Sequence, residues 1–189
     1  MVADAAIANG CWTQIAVSDA DPKAWGQALL PKLTIVDVKS WQGLNFLVHI
    51  SIGDNAARAR EAEALGIHRL ASICHPAAVI STFSSLAEGC FVAAGAVVAA
   101  GAKIERGVIV NHAAVVDHDV HIGNFSHIAP HATLGGSVKI GRRVLIGAGA
   151  VVLPSITIGD DVVVGAGAVV TGDLTAPGVY VGVPARKRL

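Results

Sequence analysis

Three features are scarce in this sequence, and each scarcity excludes a class of protein. Lys and Arg together number 14, as do Asp and Glu, so there is no excess charge with which to bind nucleic acid or an anionic membrane. The longest apolar run, Cys90 to Ala102, is shorter than the roughly 18 residues that a membrane-spanning helix needs. The three cysteines, Cys11, Cys74 and Cys90, lack disulfide or metal spacing, as expected of reduced cytosolic thiols. The sequence therefore predicts a cytoplasmic protein without nucleic-acid or membrane partners.

A six-residue repeat organises the chain from Ile80 to Val170. Every sixth residue in this stretch is Ile, Leu or Val, and the fourth residue after each is nearly always small or β-branched. Neither an α-helix, with its period of 3.6, nor a strand, with its period of 2, keeps this register. A β-helix of hexapeptide repeats does, since each hexad forms one flat side of a prism and three hexads complete a coil. The aliphatic residue of each side is expected to point inward, where stacked coils bury it.

The residues before the repeat indicate a small α/β domain. Helices are predicted at Val2–Asn9 and Ala56–Leu65, and strands at Trp12–Val17, Leu33–Val38, Leu44–Ile52 and Leu70–Cys74. This alternation is typical of a parallel, Rossmann-like sheet, in which ligands bind at the carboxyl ends of strands. Those ends lead into loops 18–21 and 53–55, which are equally well explained as simple turns.

A domain of this kind usually opens with a complete first strand and a Gly-rich turn. Neither is found here, so we expect the α/β domain to be shortened at its N-terminus. The predicted domains are residues 1–75 (α/β), 76–174 (β-helix) and 175–189 (C-terminal tail).

His118 is the candidate catalytic residue among five histidines between positions 112 and 131. Because a coil has three hexads, Ala100 lies one coil below His118 and Gly136 one coil above it. These small neighbours leave space over the imidazole, as a general base requires. Asp117 and Asp119 flank the histidine, and a carboxylate can fix its tautomer and raise its basicity. A solvated His–Asp pair on the surface is the alternative. The histidine spacings of 6, 3, 6 and 4 do not fit a β-helix zinc site, so no metal is predicted.

A second column of the prism combines glycine with alanine. The segments Gly147-Ala148-Gly149 and Gly165-Ala166-Gly167 are one coil apart and therefore stack. Backbone amides that no side chain covers can pair with the amides of a long, thin ligand, such as the pantetheine arm of coenzyme A. Alternatively, the glycines only make the tight corners of the coil.

The whole set of motifs resembles the bacterial sugar acetyltransferases of the sialic acid O-acetyltransferase and UDP-4-amino-sugar N-acetyltransferase type. The resemblance rests on Ile52-Gly-Asp-Asn55, His75-Pro76, Val116-Asp-His-Asp-Val120, Gly123-Asn-Phe-Ser-His127 and Gly178-Val-Tyr-Val-Gly-Val-Pro-Ala185. It implies a left-handed β-helix, contrary to the usual right-handed crossover. It also implies a homotrimer with acetyl-CoA between neighbouring prisms. We expect outer faces such as that of Ala93, Ala94 and Val97 to be buried between subunits.

The resemblance also implies roles for individual residues. His118 matches the catalytic base, and Asp119 stands where the family has an assisting acidic residue, commonly Glu. The positions that match acetyl-CoA contacts or an active-site asparagine are His127, Gly136, Ala148, Ala166 and Asn111. Those that match the nucleotide-sugar site are Ser18, Asp19 and Gly53. The family more often has an acidic residue in place of Ser18, and its Gly-His-Gly loop has no counterpart.

The sequence therefore predicts direct transfer of acetyl from acetyl-CoA to an amino or hydroxyl group of a nucleotide-linked sugar, for surface-glycan or glycoprotein sugar biosynthesis. His118 would remove the proton of the attacking group, and the Gly136 amide would bind the developing oxyanion. One alternative is an acetyltransferase for a different small acceptor, such as serine or a simple sugar. The other is a β-helix scaffold subunit without catalytic activity.

Overall fold

The computed structural model describes residues 1–31, 33–37, 46–65 and 70–188. Its N-terminal part contains α1 (Val2–Asn9), β1 (Val17–Ser18), a 3-10 turn (Pro22–Ala24), β2 (Ala28–Leu30), β3 (Leu33–Val36) and α2 (Asn55–Ala64). The strands that follow are β4 (Ile73–Cys74), β5 (Val79–Ile80), β6 (Ser85–Leu86), β7 (Phe91–Val92), β8 (Val97–Val98), β9 (Lys103–Ile104), β10 (Ile109–Val110), β11 (Val115–Val116), β12 (His121–Ile122), β13 (His127–Ile128), β14 (Thr133–Leu134), β15 (Lys139–Ile140), β16 (Leu145–Ile146), β17 (Val151–Val152), β18 (Thr157–Ile158), β19 (Val162–Val164), β20 (Val169–Val170), β21 (Gly178–Val181) and β22 (Arg186–Lys187).

Three parallel sheets form the sides of a prism. The first sheet contains β4, β7, β10, β13, β16 and β19 and ends in the β21–β22 hairpin; the second contains β5, β8, β11, β14, β17 and β20; the third contains β6, β9, β12, β15 and β18. Residues eighteen apart are partners in these ladders, as Ile109 is with His127. Short corners connect the sides. We call them the first corner (first to second sheet), the second corner (second to third) and the third corner (third to first).

The predicted repeat is confirmed as a parallel β-helix. From Val92 to Val170, every sixth aliphatic side chain is at most 2% exposed, and each contributes about 1.5–3 kcal/mol through burial. Between Val92 and Val170, one inward position is polar. Ser126 donates its hydroxyl hydrogen to the Gly141 carbonyl (2.8 Å) and accepts the Val144 N–H (2.9 Å), so its buried oxygen is satisfied.

The N-terminal module packs on the first sheet. Helix α1 ends at Gly10, whose φ of 71° gives the left-handed stop that the sequence predicted. The helix buries Ala5 and Ala6 in a cluster with Ile73 and Phe91 of the first sheet. Ala93, which we expected at a subunit contact, is fully buried in this same cluster and so is covered within its own chain.

The module's sheet differs from the wholly parallel sheet that the sequence predicted. Strand β3 pairs in parallel with β1 but antiparallel with β2. The reason is that β2 and β3 follow each other too closely for a parallel crossover, which needs a dozen or more residues. The predicted strand 12–17 is reduced to β1, and in the predicted strand 44–52 the structure shows a parallel bridge between Val48 and Leu70. Residues 38, 44 and 45 of the predicted strands lie outside the described residues.

The ends of the β-helix also carry detail that the sequence did not predict. Strand β4 belongs to the first sheet, so the coil begins a few residues before position 76. Residues 175–189, predicted only as a tail, contain the antiparallel pair β21–β22, which closes the end of the first sheet. Neither helix in the described ranges is long and apolar enough to cross a membrane.

Candidate active site

His118 and Asp119 form a hydrogen-bonded pair at the second corner, between β11 and β12. The Nδ1 atom of His118 lies 2.9 Å from Asp119 Oδ2, and the backbone N–H of His118 donates to Asp117 Oδ1 at 2.7 Å. A carboxylate at Nδ1 places the proton of the neutral ring there and leaves the lone pair on Nε2. The Asp119 hydrogen bond and, less strongly, the Asp117 charge raise the pKa of His118. The pair therefore presents a basic Nε2 to solvent.

Two glycines make room for this pair. A Cβ on Gly136 would lie 2.5 Å from His118 Nε2 and 2.7 Å from Cε1, so only glycine leaves the face of the ring open. This confirms the predicted stacking of Gly136 on His118. One coil below, a Cβ on Gly101 would collide with Asp119 Oδ1. Sequence reasoning missed Gly101, although its position eighteen residues before Asp119 could have identified it.

In each corner, the second residue after the strand has a backbone amide that takes no part in the hydrogen bonds of the ladders. At His112, His118 and Arg142 a neighbouring side-chain oxygen accepts this hydrogen. The corresponding amides of Gly136, Ala148 and Ala166 have no hydrogen-bond partner in the described part of the chain. These three donors are among the positions that the sequence singled out.

In the Gly-Ala strip, formed by residues 147–149 and 165–167, the amides of the alanines and of the second glycines differ in their hydrogen bonding. The amides of Gly149 and Gly167 donate to the carbonyls of Pro130 (2.9 Å) and Ala148 (2.8 Å), so the glycines maintain the coil. Both adopt left-handed φ values near 66°, which glycine tolerates without strain. Ala148 and Ala166 are exposed, and their amides remain available for a ligand.

His127 is held in a neutral state between the prism and the N-terminal module. Its Nε2 accepts from Asn111 Nδ2 at 3.0 Å, which places the proton of the neutral ring on Nδ1. Burial and, to a smaller degree, the charge of Arg58 lower its pKa to about 4. Asn111 is itself buried, and its Oδ1 accepts the His112 N–H at 2.8 Å.

The prism divides the predicted residues into two groups. His118, Asp119 and Gly136 lie at the second corner. Ala148 and Ala166 lie at the first corner, beside Asn111, whose partner His127 is on the first sheet. In a three-sided prism the second corner is opposite the first sheet, so a single chain does not bring His118 and His127 together. Both corners, however, border the second sheet.

The predicted nucleotide-sugar residues lie in the N-terminal module. Ser18 has a buried hydroxyl without a partner in the described chain. Asp19 caps its own turn, since Oδ1 accepts the Asp21 N–H at 2.9 Å. Val17 and Ser51, just ahead of the two predicted loops, line one cavity of about 140 Å³ beneath α1. The segments that carry the predicted residues therefore border one cavity, although Ser18, Asp19 and Gly53 themselves do not line it.

Arg58 is a further residue that sequence reasoning missed. It lies on α2, which reads as a surface helix, yet Arg58 is only 1% exposed. The sequence could have indicated this burial, because Arg58 and Ala62 are four residues apart and so share a helix face, and Ala62 is fully buried. Within the described residues, no group of three His, Cys, Asp or Glu side chains could hold a metal ion.

Comparison with known proteins supports a single class for this fold and site. The model of the bacterial transferase hexapeptide (six repeats) matches residues 137–172. Comparison with curated proteins gave no match. The solved structure of the acetyltransferase domain of PglB from Neisseria gonorrhoeae is 33% identical, with a TM-score of 0.90 over 99% of this chain and 93% of that one. The same domain has been determined with acetyl coenzyme A.

Two further solved structures are similar over almost the whole chain. PerB from Caulobacter crescentus, in complex with CoA and GDP-perosamine, is 38% identical, with a TM-score of 0.87 over 99% of this chain and 90% of that one. WeeI from Acinetobacter baumannii is 25% identical, with a TM-score of 0.85 over 98% and 93%. Variants of the Caulobacter enzyme, a GDP-perosamine N-acetyltransferase, have one histidine replaced by alanine or asparagine. The chain belongs to the hexapeptide-repeat family of sugar N-acetyltransferases.

Proposed function

We propose that this protein transfers the acetyl group of acetyl-CoA directly to an amine of a nucleotide-linked sugar. The observation that carries the proposal is the position of His118 Nε2 beneath Gly136, whose amide has no hydrogen-bond partner among the described residues; a base and an oxyanion donor thus lie close together. The relatives that bind CoA and GDP-perosamine favour an amine over a hydroxyl acceptor. The biosynthesis of surface glycans or glycoprotein sugars remains the proposed setting.

The proposed reaction needs no covalent enzyme intermediate. The acceptor nitrogen attacks the thioester carbonyl, and His118 Nε2 takes its proton as the C–N bond forms. The Gly136 amide donates to the oxyanion of the tetrahedral intermediate. When the C–S bond breaks, the imidazolium returns the proton to the departing thiolate. Asp119 keeps the ring in the correct tautomer throughout.

The Gly-Ala strip is proposed to bind the donor. The amides of Ala148 and Ala166 have no hydrogen-bond partner among the described residues and would pair with carbonyl groups of the pantetheine arm. Asn111 and His127 would lie at the lower end of the strip. Ser18, Asp19 and Gly53 would bind the nucleotide-sugar in the α/β module.

The two halves of the proposed site meet only in an oligomer. The outward residues of the second sheet form an apolar column of Val79, Val97, Val115, Val151 and Val169, interrupted by Thr133. In a cyclic trimer built around this face, the first corner of one chain meets the second corner of the next. Such packing would place His118 of one protomer beside Asn111 and Ala148 of its neighbour. We therefore propose a homotrimer with three shared sites.

Several finer features belong to the same proposal. The coil is left-handed, the segment before β4 forms a Rossmann-like module for the nucleotide-sugar, the coils from β4 to position 174 form the acetyltransferase prism, and residues 175–189 form a C-terminal segment. The proposed location is the cytoplasm, which agrees with three free cysteines.

An assay of CoA release against a panel of nucleotide-linked amino-sugars tests this function. The panel includes hydroxyl analogues, free sugars and serine, so it also tests the alternative acceptors. We expect turnover with a nucleotide-linked amine and a loss of about 10²–10⁴ in kcat/KM for His118→Ala, the usual contribution of a general base. Absence of turnover with every acceptor would favour the scaffold alternative, and full activity of folded His118→Ala would exclude this base.

A further inference from the structure

Arg58 is a buried cation whose described partners are all neutral oxygens. Its Nε donates to the Gly107 carbonyl (2.9 Å), its Nη1 to the Ile52 (2.8 Å) and Gly53 (3.2 Å) carbonyls, and its Nη2 to Asn55 Oδ1 and the Phe125 carbonyl (both 2.8 Å). All five N–H groups of the guanidinium are thus directed at acceptors. Burial lowers its pKa to about 10, so the group remains charged near neutral pH.

These contacts join the two parts of the molecule. Ile52 and Gly53 belong to the loop before α2, whereas Gly107 and Phe125 lie at the third corner of successive coils. Asn55 adds a parallel tie by donating from Nδ2 to the Val144 carbonyl at 3.0 Å. Burying a charge without an ionic partner is costly. A neutral, apolar contact would hold the module to the prism at lower cost.

The charge lies beside a chain of hydrogen bonds that ends in the proposed active site. Arg58 Nη2 donates to the carbonyls of Phe125 (2.8 Å) and Ser126 (3.4 Å), the two residues that precede His127 in the chain. The Nε2 atom of His127 accepts from Asn111 Nδ2. Asn111 therefore has one Nδ2 hydrogen fixed by His127 and one left over at the first corner.

We propose that Arg58 is a positioning residue that holds the backbone before His127 and, through the His127 ring, orients the Asn111 amide toward the reacting groups. This inference rests on the proposed function, because it links the loop assigned to the acceptor sugar with the corner assigned to acetyl-CoA. Lysine at this position would keep the charge but lose the planar fork that reaches both parts of the molecule.

The first test uses the imidazole nitrogen resonances of His127 in the full-length protein without substrate. In the wild type we expect a single tautomer with Nε2 unprotonated between about pH 5 and 8. Arg58→Lys is expected to mix the tautomers, whereas Arg60→Lys, at an exposed position on the same helix, is expected to leave them unchanged. Unaltered His127 signals in Arg58→Lys would overturn the inference. If that variant does not fold, Asn55→Ala, which removes one acceptor of Arg58 together with the hydrogen bond to the Val144 carbonyl, is measured by the same criterion.

The second test is a double-mutant cycle on kcat/KM. Arg58→Lys is expected to lower kcat/KM on the order of 10²-fold at most, as misplacement of a reacting group does. If Arg58 acts through His127, the losses of kcat/KM caused by Arg58→Lys and by His127→Gln are not additive. The losses caused by Arg58→Lys and by Asp119→Asn, which lies at the second corner, are expected to be additive. Additive effects with His127→Gln would show a merely structural role. If Arg58→Lys changes the His127 resonances but the wild-type protein transfers acetyl to no acceptor, the hydrogen-bond network is supported and only the proposed function is refuted.

Discussion

At the scale of single residues, the carboxylate of Asp119 determines how basic His118 is. Its hydrogen bond is the largest cause of the raised pKa of His118. Because both side chains are well exposed, at 60% and 66%, solvent weakens the effect on stability, and the consequence is catalytic.

The pH profile of Asp119→Asn is the first prediction. A base works only when neutral, so kcat/KM rises with pH through the pKa of His118. Loss of the carboxylate lowers that pKa, and the acidic limb of the profile moves to lower pH. The plateau falls as well, since the tautomer is no longer held, but by less than in His118→Ala. The measurement is kcat/KM across pH for both variants; a limb that stays in place would mean that Asp119 does not contact the working base.

Gly136→Val is expected to abolish acetyl transfer without unfolding the protein. The added Cβ would overlap His118 Nε2, and the exposed imidazole can swing away while the coil stays intact. Gly172→Val is the matched control, because Gly172 lies in the same column two coils higher with nothing within 4 Å. Activity and thermal melts of both variants decide the matter. Full activity of Gly136→Val would show that the donor lies elsewhere.

At the scale of elements, the corners expose backbone donors in a fixed pattern. The ladder leaves out the second corner residue, and three positions in that set are prolines, Pro76, Pro130 and Pro154, which have no N–H to lose. A proline is therefore tolerated at this point of the coil.

Ala148→Pro uses this tolerance to delete one amide of the proposed donor groove. Pro130, one coil below in the same column, shows that the ring fits. We expect the KM for acetyl-CoA to rise about 2–10-fold, as for one lost hydrogen bond, with the acceptor KM unchanged. Ala94→Pro, lower in the same column, is the control. An unchanged acetyl-CoA KM in Ala148→Pro would exclude this amide from donor binding.

The elements also show what sequence could and could not predict. The six-residue period was enough to predict every inward aliphatic position of the prism and the stacking of Gly136 on His118. A regular repeat fixes which residues are neighbours in space, because the partners are always eighteen residues apart. The N-terminal module has no such period. There the predicted strand 12–17 shrank to Val17–Ser18, and β2 was missed, because short strands depend on partners that local sequence does not name. Arg58 was missed for the same reason, since the acceptors that bury it against the prism, the Gly107 and Phe125 carbonyls, are distant in sequence.

At the scale of the whole molecule, the prism places the two groups of site residues on different sides. The proposed site, shared between protomers, would bring the two groups together. It can be tested without a structure of the assembly.

Mixed trimers of two inactive variants are expected to regain activity. His118→Ala inactivates the second corner and Asn111→Ala inactivates the first corner. In randomly mixed trimers, about a quarter of the shared sites therefore combine an intact second corner of one chain with an intact first corner of the next. Co-expressed or co-refolded variants should recover roughly that share of wild-type turnover. A mixture of His118→Ala with Gly136→Val, both on the same corner, is the control and should stay inactive. No recovery in the first mixture would place the complete site within one chain.

The constant height of the coils has one more consequence. The amides of Ala148 and Ala166 are one coil apart, about 4.8 Å along the axis, which is the interval between strands in any sheet. The prism thus offers amides to the proposed ligand at a constant interval, one for each coil. An insertion or deletion of one hexad would keep the aliphatic residues inward but would move every later residue to another side of the prism. Only a whole coil preserves the columns, so the length of the groove changes in discrete steps. A lineage that needed to accommodate a longer acyl donor would have to add about 4.8 Å at a time.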